Sequence, residues 1–178
     1  MHDPILEAFL IRQYEEGMDL ARGSEVLSLA PLPSEGSVPN CYLATFRCRG
    51  MVRQPDGEIA ETDDEFRVGI AFPPDYLRTV RPEEITIWLG PAHVWHPNIA
   101  PPFICLGRVH PATHLVDLLY QSYEVITYQK VTMREDDALN VRACPWVRGH
   151  QHLFPLDRRA LKRRSPGFRV VPVEGPSV

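Results

Sequence analysis

Apolar residues recur four apart near the start of the chain: Leu6, Leu10, Tyr14 and Met18 mark one face of a helix over residues 4–22. Asp3 ahead of Pro4 supplies a cap and a first-turn proline, and Gly23 supplies a stop. The period then falls to two. Val26 to Ala30 predicts a short strand. Over residues 41–52, Tyr42, Ala44, Phe46 and Cys48 alternate with Leu43, Thr45, Arg47 and Arg49, which turns Cys48 toward the core of a second strand. Gln54-Pro55-Asp56-Gly57 reads as a turn, and the acidic run Glu58 to Glu65 as a solvated loop or the start of a strand. Phe66, Val68, Ile70 and Phe72 give a third strand over 65–72, closed by Pro73-Pro74-Asp75-Tyr76. Ile85 to Leu89, entered through Arg81-Pro82, gives a fourth. The short connections imply an antiparallel meander, and a helix over one face makes the class α+β.

Residues 90–112 lose the period and hold Pro91, Pro97, Pro101, Pro102 and Pro111. Such a stretch predicts a long, stiffened loop of the kind that carries function. Leu115, Leu118, Leu119, Ser122 and Ile126 then mark one face of a helix over 113–130. An acidic-centred loop follows over 131–139, and a short helix starts at Asn140 and stops near Pro145. Leu156 to Arg164 reads as a basic helical piece with Arg158, Arg159, Lys162, Arg163 and Arg164 as a solvated cluster. Ser165 to Val178 reads as a tail or an added edge strand. The division expected is a domain over residues 1–155 and an appendage over 156–178.

The composition narrows the class. With 178 residues, 44% hydrophobic and 24% charged, the chain is sized for one soluble domain with extensions. A net charge of −4 and a pI near 6.0 argue against a general nucleic-acid or membrane binder. No apolar run reaches the length of a membrane span, and the N-terminus does not read as a signal peptide, so a cytoplasmic protein is expected. Cys41, Cys48, Cys105 and Cys144 form no C-x-x-C pair and are expected to be reduced thiols, not a disulfide framework. Of the 19 basic side chains only Lys130 and Lys162 are lysines. Scarce lysine would suit a carrier of amine-reactive acyl groups, although a compositional bias explains it as well.

The chemistry concentrates in His96-Pro97-Asn98-Ile99-Ala100-Pro101-Pro102-Phe103-Ile104-Cys105-Leu106. A thiol with a carboxamide seven residues before it suits acyl transfer: the thiolate carries the acyl group and the amide of Asn98 stabilises the oxyanion, or holds the loop that does. A rival reading takes His93, His96, Cys105, His110 and His114 as zinc ligands; no pair among them follows a finger spacing, and Pro97 restricts the backbone between them. Neither metal nor cofactor is expected.

These features, in this order, resemble the ubiquitin-conjugating enzyme family. The resemblance covers roughly residues 4–150 and rests on Pro73-Pro74-Asp75-Tyr76, His96-Pro97-Asn98-Ile99, Ile104-Cys105-Leu106, Pro111-Ala112-Thr113 and Asp136-Asp137-Ala138-Leu139-Asn140 followed by Ala143. It implies the family's fold (the UBC-like fold) and, from the divergence, a bacterial branch encoded in a ubiquitin-like conjugation operon. It implies that Cys105 takes the C-terminal acyl group of a ubiquitin-like modifier from an activating enzyme and passes it to an amine of a target protein. It further implies that Asp136 or Asp137 orients the incoming amine and that His96, with Pro97, shapes the loop. The chain departs from the family in three ways. The span from Asn98 to Cys105 is about one residue short and lacks a glycine, Gly107 replaces a common acidic residue, and the first helix is acidic where basic docking residues are frequent. The alternative is a non-catalytic module of the same fold that binds a modifier or partner; a cysteine within Ile-Cys-Leu favours the carrier.

Overall fold

The computed structural model describes residues 3–34 and 36–162. The elements are α1 (Pro4–Arg22), β1 (Leu27–Pro31), β2 (Cys41–Arg53), β3 (Ile59–Ala71), α2 (Pro82–Ile85), β4 (Thr86–Gly90), β5 (Ile99–Ala100), β6 (Phe103–Ile104), α3 (Leu115–Ile126) and α4 (Ala143–Gly149). The first four strands form one antiparallel sheet in sequence order, and β5 and β6 form a separate hairpin. Helix α3 packs on β2 and β3, and α1 packs on α3 and β1. The architecture is mixed α+β, with a helix before the meander and helices after it.

Asp3 caps α1, its carboxylate accepting from the N–H groups of Ile5 (3.0 Å) and Leu6 (3.2 Å). The buried stripe of α1 differs from the apolar repeat: it is Leu10, Gln13, Gly17 and Leu20, while Tyr14 is 37% exposed. Close approach sets this stripe. A Cβ at Gly17 would meet Leu115 Cδ2 at 2.7 Å and Leu29 Cδ2 at 3.0 Å, so the glycine lets α1 close on both. One turn away, Gln13 Oε1 accepts from the N–H of Leu115 (2.7 Å) and satisfies a first-turn donor of α3 that has no partner within its own helix. On α3 the expected face holds: Leu115, Leu118, Leu119, Ser122 and Ile126 are all buried.

The acidic run after the hairpin turn is strand. β3 pairs with β2 without interruption from Arg53↔Ile59 to Cys41↔Ala71. Its carboxylates face β2 arginines across the ladder, as in Arg47–Glu65 (2.7 Å) and Arg49–Glu61 (3.5 Å). Cys48 lies in the core, as the alternation predicts.

The other edge of β2 is shared among three segments. β1 covers it as far as Phe46, and Arg47 donates to the Val26 carbonyl at 2.8 Å. Beyond that point the N–H of Arg49 donates to the carboxylate of Asp157 at 3.1 Å. Trp95 donates to the Met51 carbonyl and Arg53 to the His93 carbonyl, both at 2.8 Å.

This edge corrects the expectation of a helical appendage from Leu156. Residues 156–162 are irregular and lie on the core, with Leu156, Asp157 and Leu161 buried. Leu156 donates to the Thr127 carbonyl (2.9 Å), Tyr123 Oη donates to the Arg159 carbonyl (2.8 Å), and Arg159 Nη2 donates to the Arg47 carbonyl (3.1 Å). Bonds spent on the β2 edge and on α3 compete with an intrahelical ladder, and here they prevail. Arg163, Arg164 and the expected tail Ser165 to Val178 lie outside the described residues. Helix α4 also differs from expectation, running through Pro145. Pro145 is in its first turn, where an N–H has no intrahelical partner to lose.

Burial alone raises the carboxyl of Asp157. The Arg159 side chain and the N–H groups of Arg159 and Arg49 outweigh it and hold the group at about 2, against an ordinary 3.8. A carboxyl depressed in the folded state contributes stability above its unfolded value and loses it as pH falls through the folded one. Asp157→Asn is therefore expected to cost about 1–3 kcal/mol at neutral pH in urea denaturation. The parent is expected to lose that stability as pH falls from 3.8 toward about 2, and the variant is expected to lack this loss. A chain ended at Pro155 is expected to melt below the full chain, because it loses Asp157 and the buried Leu156 and Leu161; an unchanged melt would make residues 156–162 a true appendage.

Candidate active site

The segment after β4 reaches the site by way of the β2 edge. His93 and Trp95 take their bonds there, and the chain then turns through His96-Pro97 into the β5–β6 hairpin. That hairpin pairs Ile99 with Ile104 and Ala100 with Phe103, and the Trp88 N–H ties it to β4 through the Pro102 carbonyl at 2.8 Å. One step outward, the same register sets Asn98 opposite Cys105. The Cys105 N–H donates to the Asn98 carbonyl at 2.8 Å, and Asn98 Nδ2 donates to the Cys105 carbonyl at 3.4 Å. The short span therefore does not separate the amide from the cysteine; a two-residue turn at Pro101-Pro102 brings them together.

Cys105 is a free, half-buried thiol between buried Ile104 and Leu106. Cys48 and Cys144 are buried and Cys41, at the start of β2, is half-buried. Burial pushes the thiol of Cys48 far up and that of Cys144 up.

Asn98 is buried, and its amide is fully occupied. Besides Cys105, Nδ2 donates to Thr132 Oγ1 at 3.2 Å, and Oδ1 accepts from the Thr132 N–H at 2.8 Å. A primary amide has two N–H donors. Both have partners, so this geometry favours loop-holding, with oxyanion donation available only if one bond is exchanged.

His96 is buried against Tyr128, ring centroids 4.2 Å apart. Its Nδ1 accepts from the Asn98 N–H at 2.9 Å. Burial pushes its pKa down to about 3, opposed by the nearby Val125 carbonyl. The ring is neutral near pH 7 and serves as an acceptor for the loop backbone at Asn98. Pro97 offers its carbonyl to the N–H of Asn140 at 2.9 Å and so joins the loop to the end of the acidic segment.

That acidic segment holds a single 3-10 turn, Glu135–Asp137. Asp136 and Asp137 are exposed on it and both face Arg134, Asp137 at 3.7 Å. The Arg134 hydrogen bond draws Asp136 below its ordinary value. Glu135 pairs with Arg148 at 2.7 Å, and Arg148 Nη1 also donates to the Met133 carbonyl at 2.8 Å. The structure thus brings Asn98, His96 and Cys105 into one hydrogen-bonded unit, ties Pro97 to Asn140, and sets Asp136 and Asp137 on an adjoining loop, paired with arginine. No group of three His, Cys, Asp or Glu side chains able to hold a metal occurs among the described residues.

Three further residues belong to the unit. After α3 the chain turns at Tyr128, whose φ is +60°. From there every second side chain grips the segment around Cys105. Tyr128 Oη donates to the Trp95 carbonyl, just ahead of His96. Lys130 Nζ donates to the Leu106 carbonyl, just after Cys105. Thr132 holds Asn98 between them. The period-two spacing of Tyr128, Lys130 and Thr132 is visible in the sequence, but it falls inside the stretch expected to be helix and loop.

No family model and no curated protein matches the chain.

Proposed function

We propose that the chain is a ubiquitin-conjugating-type carrier of UBC-like fold, which holds a ubiquitin-like modifier as a thioester on Cys105 and passes it to an amine of a target protein. The observation that carries this reading is the setting of Cys105. It is a half-buried thiol at the base of a two-strand hairpin, with both backbone groups bonded to Asn98 and both sequence neighbours buried. A nucleophile whose backbone is fixed while the residue keeps some contact with solvent meets the positional demand of acyl transfer. The order of helix, meander, cysteine hairpin, helix and acidic loop supports the same reading, as do the motifs that resemble the family.

In charging, the Cys105 thiolate attacks the thioester carbonyl presented by an activating enzyme and expels that enzyme's thiolate. In discharge, an amine attacks the Cys105 thioester, loses a proton and expels the Cys105 thiolate. Asp136 or Asp137 would orient that amine once either leaves its pairing with Arg134, an exchange that an exposed ion pair permits at small cost. His96 takes no proton in this scheme.

With cognate activating enzyme, ATP and modifier, the chain is expected to form an adduct that thiol reductant removes. Cys105→Ser is expected to give no adduct or a reductant-resistant ester, while Cys41→Ser charges normally. An equally labile adduct on Cys105→Ser would remove the assignment, and failure to charge at any cysteine would leave the binding module as the better reading.

Asn98 separates the two steps. Charging exchanges one thiolate for another, whereas discharge must deprotonate an amine as the oxyanion forms, so donor and frame matter more in the second step. Asn98→Ala is expected to charge near the parent rate and to discharge to free lysine roughly ten- to a thousand-fold more slowly. Because Thr132 would lose its partner, the same variant is expected to lose about 1–3 kcal/mol of stability. Single-turnover discharge and a urea curve read both; unchanged discharge would take Asn98 out of the mechanism.

A further inference from the structure

We propose that Lys130 is an acceptor for the acyl group on Cys105, so that the charged chain modifies itself at this lysine; the inference rests on the reading of Cys105 as a thioester carrier. Lysine is scarce in the chain, and an amine beside the thioester is what a carrier would be expected to lack. Yet of the two lysines, Lys130 has its ammonium on the carbonyl of Leu106, the residue after Cys105. The contact is built from both sides. Gly107 has φ +90°, and a Cβ there would stand 2.8 Å from Lys130 Nζ, so the glycine leaves the room that the ammonium fills. Tyr128 and Thr132 anchor the backbone on either side of Lys130 to the active-site segment. The amine is thereby held on the carbonyl of the residue that follows the nucleophile in the chain. Lys162, the other lysine, is exposed by the C-terminal end of α1, its Cγ 3.8 Å from a Cβ position at Gly23.

The step balances without a co-reactant. Lys130 gives one proton to solvent and swings its nitrogen from the Leu106 carbonyl to the thioester carbonyl. A C–N bond forms and the C–S bond breaks. The electron pair stays on sulfur as the Cys105 thiolate, and the nitrogen loses its second proton to become an amide. Proximity is the driving factor, since an intramolecular amine competes with solvent at a high effective concentration. A stable amide beside the cysteine would hold the modifier over the site and end its use as a carrier.

A second role for Lys130, holding the Leu106 carbonyl, can be separated from this one. Arginine keeps a charged donor there but is not a nucleophile at working pH. The test uses the full chain and a small probe, an aryl thioester of acetic acid, with no activating enzyme or modifier. Mass spectrometry is expected to find a hydroxylamine-labile acetyl group on Cys105 that decays as a stable acetyl amide grows on Lys130, at least about ten-fold faster than on Lys162. Cys105→Ala is expected to lose the stable product. Lys130→Arg is expected to keep the labile adduct for longer and to form no amide at position 130. Equal labelling of Lys130 in Cys105→Ala would overturn the proposal, as would a Cys105 adduct that hydrolyses and leaves Lys130 unmodified. Absence of any thioester on Cys105 would overturn the carrier reading itself, and the proposal with it.

Discussion

The outer edge of β2 is the constraint on which the rest depends. A strand of 13 residues is paired along one side by β3, while β1 has five residues and covers only part of the other. The remaining N–H and C=O groups lie against a packed core and need partners. Two segments distant in sequence supply them. Residues 156–162 come to Arg47 and Arg49, and His93 to Trp95 come to Met51 and Arg53. The second of these delivers the chain directly into His96-Pro97-Asn98. The location of the candidate nucleophile is thus a consequence of where β1 stops.

Within the site the fixed point is Asn98. Its backbone bonds His96 and Cys105, and its side chain bonds Cys105 and Thr132. A buried amide with every hydrogen placed is rigid because any movement strands a donor or an acceptor. That rigidity suits positioning better than it suits a donor that must turn toward a developing charge. Neutral His96 strengthens the same arrangement. Burial disfavours its charged form, so Nδ1 remains an acceptor for the Asn98 N–H.

Much of this was legible in the sequence. Period-two alternation gave the meander, the i, i+3, i+4 pattern gave α3, and the Asn98-to-Cys105 stretch gave the candidate site. What escaped reading shares one cause: a partner far along the chain. Gln13 lies outside the apolar repeat of α1, and only the α3 N-terminus set over it gives it a role. Asp157 and Arg159 read as a solvated helix face until the β2 edge claims them. The run from Glu58 reads as a solvated loop or the start of a strand, and the register to Arg47 and Arg49 decides for strand. Tyr128, Lys130 and Thr132 carry a readable spacing, but nothing local says what they grip.

The acidic loop shows how such non-local bonds divide the work. Glu135, Asp136 and Asp137 all pair with arginines, yet those pairs are exposed and each contributes little in water. The loop's attachment comes instead from the Asn140 N–H on Pro97 and from Thr132 on Asn98, both on the His-Pro-Asn segment. Its two ends are therefore fastened to the active-site segment while the carboxylates between them remain free to exchange partners. A rigid frame that carries exchangeable charge is what the proposed transfer would use: the frame holds the backbone of Cys105 through Asn98, and exposed carboxylates can change partners at small cost.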